Sequence, residues 1–113
     1  MNFGQKLRNL REEKHITQQE LAEKLGYVTN SYVSDVEKGQ FIPSEANLKK
    51  IAKVFNSPLA RLKDLLLESK LEDMGIKEPA FVSMFKDYPR LTKREKKEII
   101  KTYLKIKEKK NKR

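Results

Sequence analysis

Residues 17–37 read Thr17-Gln18-Gln19-Glu20-Leu21-Ala22-Glu23-Lys24-Leu25-Gly26-Tyr27-Val28-Thr29-Asn30-Ser31-Tyr32-Val33-Ser34-Asp35-Val36-Glu37. Thr17 stands three residues before Glu20, the spacing of a capping box that opens a helix. Leu21, Ala22 and Leu25 give that helix one apolar face, and Gly26 ends it, because glycine tolerates the positive φ found just past a helix. A second short helix is predicted next, capped by Thr29 or Asn30. Tyr32, Val33 and Val36 lie on its apolar side, and Gly39 stops it. Two short helices joined by a tight turn, the second polar at its start and apolar behind, can present one helix end to the major groove of DNA.

Outward from this pair the chain reads as helix throughout. Phe3, Leu7 and Leu10 recur at helical spacing and predict a first helix over residues 2–14. Ser44 opens a fourth helix with Leu48, Ile51, Ala52 and Phe55 inward. Ser57-Pro58 reads as a cap followed by proline at the first helical position, the start of a fifth helix carrying Leu59, Leu62, Leu65 and Leu66. The composition shifts after residue 69, and Gly75 and Pro79 punctuate a predicted linker over residues 70–79. Residues 80–113 read as a helical segment with a basic tail. A short helix over Ala80–Tyr88 carries Phe81, Val82, Met84, Phe85 and Tyr88, and Pro89 stops it. Thr92 and Glu95 form a second capping box, opening a long helix with Ile99, Ile100, Tyr103, Leu104 and Ile106 on one stripe. Beyond Lys107 the sequence is nearly all charge and is expected to fray. No stretch sustains strand alternation, so the fold class is all-α: five helices over residues 1–69, then a short C-terminal helical oligomerisation segment.

Composition narrows the function classes. The chain has 113 residues and no cysteine, which excludes disulfides and thiolate metal sites. One histidine, His15, cannot anchor a zinc-type cluster without carboxylates alone, so no metal and no cofactor are expected. No apolar run approaches the length of a membrane span and the start lacks a signal-peptide core, so a cytoplasmic protein without membrane contact is expected. An enzyme is not expected either. The carboxylates are scattered beside lysines, His15 lies in a polar helix–helix turn with no cysteine, serine or aspartate constellation around it, and no glycine-rich phosphate loop is present. Net charge is +10 and unevenly placed: residues 1–69 hold 11 Lys/Arg against 9 Asp/Glu, and residues 70–113 hold 15 against 7. A lysine-rich end either keeps a protein soluble or draws it to a polyanion, nucleic acid before an anionic membrane.

From about Gln5 to Leu66 the chain resembles the phage-repressor-like (XRE-type, lambda-repressor-like) helix-turn-helix domain. The matching residues are Leu10-Arg11-Glu12-Glu13-Lys14, Thr17 to Ala22, Gly26, Ser34-Asp35-Val36-Glu37-Lys38-Gly39, Pro43 and Leu48-Lys49-Lys50-Ile51-Ala52. The resemblance implies that Asn30, Ser31, Ser34 and Asp35 face base edges in the groove, where an asparagine can pair with adenine and an aspartate can accept from cytosine N4. It implies phosphate contacts by Gln18, Thr29 and Lys38. Gln18 opens a helix whose N-terminal N–H groups also suit an anion. It further implies a structural ion pair, Arg11 with Glu37, bridging the first helix to the end of the third. Between Gly26 and Glu37 the chain carries one residue more than the usual spacing, which leaves open which of Thr29, Asn30 and Ser31 reaches a base.

In the second half, Phe81, Phe85, Tyr88, Ile99, Tyr103 and Leu104 supply more apolar surface than an isolated helical hairpin can bury. A second copy is the simplest cover, and a two-fold dimer would place two reading heads on a palindromic site in double-stranded DNA. The overall arrangement resembles SinR-type regulators, in which the C-terminal hook can also be captured by a small antagonist protein. The expected function is therefore a sequence-specific DNA-binding transcription regulator, a homodimeric repressor. The alternative is an antitoxin-type autoregulator whose C-terminal helices bind a toxin or other partner protein.

Overall fold

A computed structural model describes residues 2–112, which form seven α-helices and, among the described residues, no strand. They fall into two compact units, one up to Ile76 and one from Lys77. The first unit, the head, contains α1 (Phe3–Glu13), α2 (Gln18–Lys24), α3 (Ser31–Glu37), α4 (Glu45–Val54) and α5 (Leu59–Asp73). The second, the hairpin, contains α6 (Pro79–Asp87), a 3-10 turn (Tyr88–Arg90) and α7 (Lys93–Asn111).

Three of the head helices begin at a side-chain cap, and all five end in the same local turn. Asn2 and Gln5 form a capping box on α1: the Gln5 N–H donates to Asn2 Oδ1 at 2.9 Å and the Asn2 N–H donates to Gln5 Oε1 at 3.0 Å. Thr17 and Glu20 do the same for α2, and Ser44 caps α4. All five helices close with the same pair of bonds, as in Gly26 N–H to the Glu23 carbonyl and Tyr27 N–H to the Ala22 carbonyl. The residue at the turning point has positive φ. It is glycine after α2, α3 and α5, but His15 (φ 56°) after α1 and Asn56 (φ 50°) after α4. His15 thus sits where a side chain costs backbone strain, which Asn56 bears more easily.

Two starts differ from the sequence expectation. Pro58 occupies the N-cap of α5 rather than the first helical position, since its ψ of 141° is extended, and Ser57 instead closes α4 by bonding the Ala52 carbonyl. At α3, Asn30 stands at the N-cap, but its side chain makes no capping bond, being engaged elsewhere.

The core is built from Phe3, Leu7, Leu21, Ala22, Leu25, Val33, Val36, Leu48, Ile51, Ala52, Phe55 and Leu62, all buried. Leu10, Leu59, Leu65 and Leu66 pack at its edge. Helix α1 crosses the end of α3 so closely that a Cβ on Gly4 would lie 2.4 Å from the Val36 carbonyl oxygen and 2.6 Å from that of Glu37. Only glycine permits this approach, and it brings Arg11, two turns further along α1, within reach of Glu37.

Helix α5 runs through residues 70–73, which the composition assigned to a linker, and Leu71 is buried there. A stripe of polar residues hid this, because Lys70, Glu72 and Asp73 surround a single apolar position. In the hairpin, Pro79 starts α6 and the Phe81 and Phe85 rings meet at 5.0 Å between centroids. Thr92 and Glu95 form the capping box of α7. That helix is intact past Lys107 to Asn111, since lysine and glutamate are good helix formers and Lys112 pairs with Glu108 at 3.3 Å.

Candidate nucleic-acid interface

The start of α3 and the start of α2 are joined by a relay of polar side chains. Arg11 Nε donates to Glu37 Oε2 at 2.7 Å and Arg11 Nη2 donates to Glu37 Oε1 at 3.1 Å, a two-pronged ion pair. The remaining Arg11 nitrogen, Nη1, donates to the Ile16 carbonyl at 2.7 Å, which ties down the chain leaving α1. These two side chains are 9% and 3% exposed, so neither charge is left to water. Gln18 Nε2 donates to Glu37 Oε1 at 3.0 Å, and Asn30 Nδ2 donates to Gln18 Oε1 at 3.4 Å. The relay therefore runs Arg11, Glu37, Gln18, Asn30, from α1 through the end of α3 to the beginnings of α2 and α3. Among the described residues no buried side-chain nitrogen or oxygen lacks a partner.

A second set of contacts holds the turn between α2 and α3. Tyr27 stacks on Tyr32 with centroids 4.6 Å apart, and Tyr32 meets Phe41 at 5.3 Å. Asn47 Nδ2, in the first turn of α4, donates to Tyr32 Oη at 2.8 Å and to Tyr27 Oη at 3.2 Å. Burial pushes the Tyr32 hydroxyl above its ordinary pKa, while the Asn47 bond acts the other way. Gln19 Nε2 donates to the Val28 carbonyl at 3.0 Å and to Glu23 at 3.1 Å. The turn between α2 and α3 is thus pinned from both sides, and α3 begins at Ser31.

The residues singled out from sequence fall as follows. Thr29, Asn30 and Ser31 are exposed at the head of α3; Ser34 and Asp35 are half-buried one turn on; Lys38 is exposed at its C-cap. Thr29 Oγ1 donates to Ser31 Oγ at 3.2 Å. Gln18 is half-buried, with its amide turned toward Glu37 and Asn30. Sequence reasoning missed Gln19, Tyr27 and Asn47. The only signals for them were the longer turn and the aromatic residue that opens it. In the hairpin, Phe81, Phe85, Tyr103 and Leu104 are exposed, and Tyr88 and Ile99 are half-buried. Met84, Phe85, Ile99, Tyr103 and Ile106 are among the residues lining an open apolar groove of about 650 Å³ between α6 and α7. Among the described residues no cluster of histidine and carboxylate could hold a metal ion, and no helix is long and apolar enough to cross a membrane.

A family profile described as helix-turn-helix matches residues 7–62, which contain the whole relay. The chain is similar to the ImmF control region 10 kDa protein of Bacillus phage phi105, 40% identical over 61 residues, covering 54% of this chain and 67% of that one. It is similar to the HTH-type transcriptional activator BcrR of Enterococcus faecalis, 40% identical over 62 residues, 55% of this chain and 30% of that one. It is also similar to the cryptic phage CTXphi transcriptional repressor RstR of Vibrio cholerae, 37% identical over 60 residues, 53% of each chain. The chain thus spans about two thirds of the first of these relatives, about half of RstR and less than a third of BcrR. No solved structure matches.

Proposed function

Because this chain belongs to the helix-turn-helix family, in its phage-repressor-like (XRE) branch, we propose that it is a sequence-specific DNA-binding transcriptional repressor that works as a homodimer on a palindromic operator in the cytoplasm. The observation that carries this reading is the relay from Arg11 to Asn30, which holds the first turn of α3 outward beside the first turn of α2.

The mechanism divides between the two helices. Gln18 and Thr29 sit at helix starts and Lys38 at the end of α3, where each donates to backbone phosphate and fixes the register without reading sequence. Asn30, Ser31, Ser34 and Asp35 meet base edges. An asparagine can pair with adenine N6 and N7, hydroxyls give or take, and Asp35 accepts from cytosine N4. Arg11 and Glu37 stay in the protein and hold the angle between α1 and α3. Repression by occlusion needs nothing more than occupancy of the operator. One relative, 40% identical over 62 residues, is named as an activator, so likeness over such a segment does not by itself fix the sign of regulation.

Dimerisation is assigned to Phe81, Phe85, Tyr88, Ile99, Tyr103 and Leu104. Two copies would cover the open groove between α6 and α7, and two-fold symmetry would match two half-sites about one helical turn apart. The same groove favours a second reading, an antitoxin-type or antagonist-controlled regulator in which a different protein fills it. Co-purification of a stoichiometric partner from the native host selects that reading.

The test is selection of bound sequences from random duplex DNA with the full-length protein. An inverted repeat with fixed spacing is expected. Replacing Asn30 and Ser31 by Ala should weaken the selected site by about 1–3 kcal/mol while leaving random duplex nearly unchanged. Equal losses on both would mean that these residues do not read bases.

A further inference from the structure

Helix α7 has two faces, and only one is used by the hairpin. Ile99, Tyr103 and Ile106 turn toward the groove with α6. Lys93, Lys97, Lys101, Lys105 and Lys109 follow one another at four-residue intervals, all exposed, and the middle three lie on the opposite side. Each step turns about 40° around the helix, so the row winds through about 160° from Lys93 to Lys109 with Lys101 at its centre, and Arg94 stands beside its start. Positive charges recur about every 6 Å along a row about 24 Å long. Two acidic residues, Glu98 and Glu108, border it; among the described residues, the one ion pair on this face joins Glu108 to Lys112 at 3.3 Å.

We infer that this lysine row is a second nucleic-acid contact, a sequence-independent seat for the phosphate backbone of duplex DNA, separate from the phosphate contacts of the reading head. Several observations converge on this ligand. The middle of the row lies opposite Ile99, Tyr103 and Ile106, so covering the groove with a second copy leaves Lys97, Lys101 and Lys105 pointing outward. A membrane-surface helix would instead bury the stripe in lipid, where no second copy could cover it. Residues 70–113 hold 15 of the 26 Lys/Arg but only 7 of the 16 Asp/Glu, so the excess positive charge is concentrated in this part of the chain. Duplex DNA presents one phosphate per roughly 1.7 Å of axis, a lattice against which a row of lysines finds partners in any register. Lysine, a compact charge on a flexible stem, suits such unspecific contact better than a fixed fork does. The choice of duplex DNA as the polyanion rests on the reading of the head given above. A head bound at its site keeps DNA at high effective concentration around its own hairpin.

The experiment measures affinity of the full-length protein for a labelled random-sequence duplex between about 0.05 and 0.2 M salt. The natural chain is compared with K97Q/K101Q/K105Q and with K97R/K101R/K105R. The glutamine variant should lower the slope of log affinity against log salt by roughly 2–3 and weaken random-duplex binding at least tenfold at about 0.1 M salt. The arginine variant should retain both. Helicity by circular dichroism and mass by sedimentation should be unchanged in either. If the triple glutamine variant unfolds, K101Q alone carries the test, with a slope change near one. An unchanged slope overturns the proposal. So does a loss confined to single-stranded RNA or to phosphatidylserine vesicles, which would assign the row to another polyanion. The ratio of selected-site to random-site affinity reports the head separately. No sequence preference with a lysine-dependent slope sinks the repressor reading and spares this one, and the converse result sinks this one alone.

Discussion

The head and the hairpin contain similar kinds of side chain and dispose of them in opposite ways. In the head the large apolar residues Leu7, Leu21, Ile51, Phe55 and Leu62 are nearly sealed from water, and the two buried charges of Arg11 and Glu37 neutralise each other. In the hairpin Phe81, Phe85, Ile100, Tyr103 and Leu104 stay exposed, and no residue of α6 or α7 is fully buried. A five-helix arrangement encloses a core, whereas two helices can only share one seam. Polar groups in the head are therefore held by geometry and intolerant of change. Apolar groups in the hairpin are left with their energetic value unspent until something covers them.

The contrast breaks most sharply at the ion pair. Arg11→Ala should strand the Glu37 carboxylate in the interior and cost the head about 3–5 kcal/mol, read by urea or thermal unfolding. Gly4→Ala comes next. At an ordinary helix position this change would stabilise, but here the new Cβ runs into two backbone carbonyls, so a loss of about 1–3 kcal/mol is expected in the same assay. A gain in stability would mean that α1 and α3 can move apart freely. Tyr103→Asp should leave the melting of the head within about 0.5 kcal/mol, because the residue is 59% exposed in the single chain. The same change should weaken the dimer at least about tenfold by sedimentation, equal to roughly 1.4 kcal/mol. A full-length protein that is already monomeric at micromolar concentration would remove the dimer from the account.

The smallest expected effect is acid sensitivity. The bond from Arg8 holds the Glu12 carboxyl below its usual range, and Lys63, bonded at 2.7 Å, does the same for Glu45. A carboxyl whose folded pKa is depressed contributes stability above its ordinary, unfolded pKa. It loses that contribution as pH falls from that value through the lower, folded one. The head should accordingly weaken slightly as pH is taken below the ordinary carboxylate range. Replacing both glutamates with glutamine should flatten that limb, by a small amount because both groups face water. An acid limb of the same steepness in the double variant would discount both pairs.

Much of the head was legible in the sequence because its signals are local. Capping spacing at Thr17 and Glu20 and apolar recurrence at Leu21, Ala22 and Leu25 depend on residues within one turn of each other. Less legible were features set by distant partners. Nothing near Asn30 in sequence announces that its amide turns to Gln18 instead of capping α3, and nothing near Tyr27 announces Asn47. The end of α5 escapes the periodic pattern for a related reason. Leu71 is one buried residue among charged neighbours, so the periodic signal faded before the helix did. A fragment of the head cut at residue 68 would lose buried Ser69 and Leu71, whereas one ending at Ile76 keeps them.

Gln18 and Asn30 are already bonded into the relay in the protein alone. An amide nitrogen carries two hydrogens, and Gln18 gives one to Glu37, so the second can turn to a phosphate without the first bond breaking. Freezing a long polar side chain at an interface ordinarily costs about 0.5–1.5 kcal/mol of conformational entropy. Here that loss is incurred when the chain folds, before any DNA arrives. Association would then begin from side chains with little motion left to surrender, and its heat and entropy would report mainly on displaced ions and water.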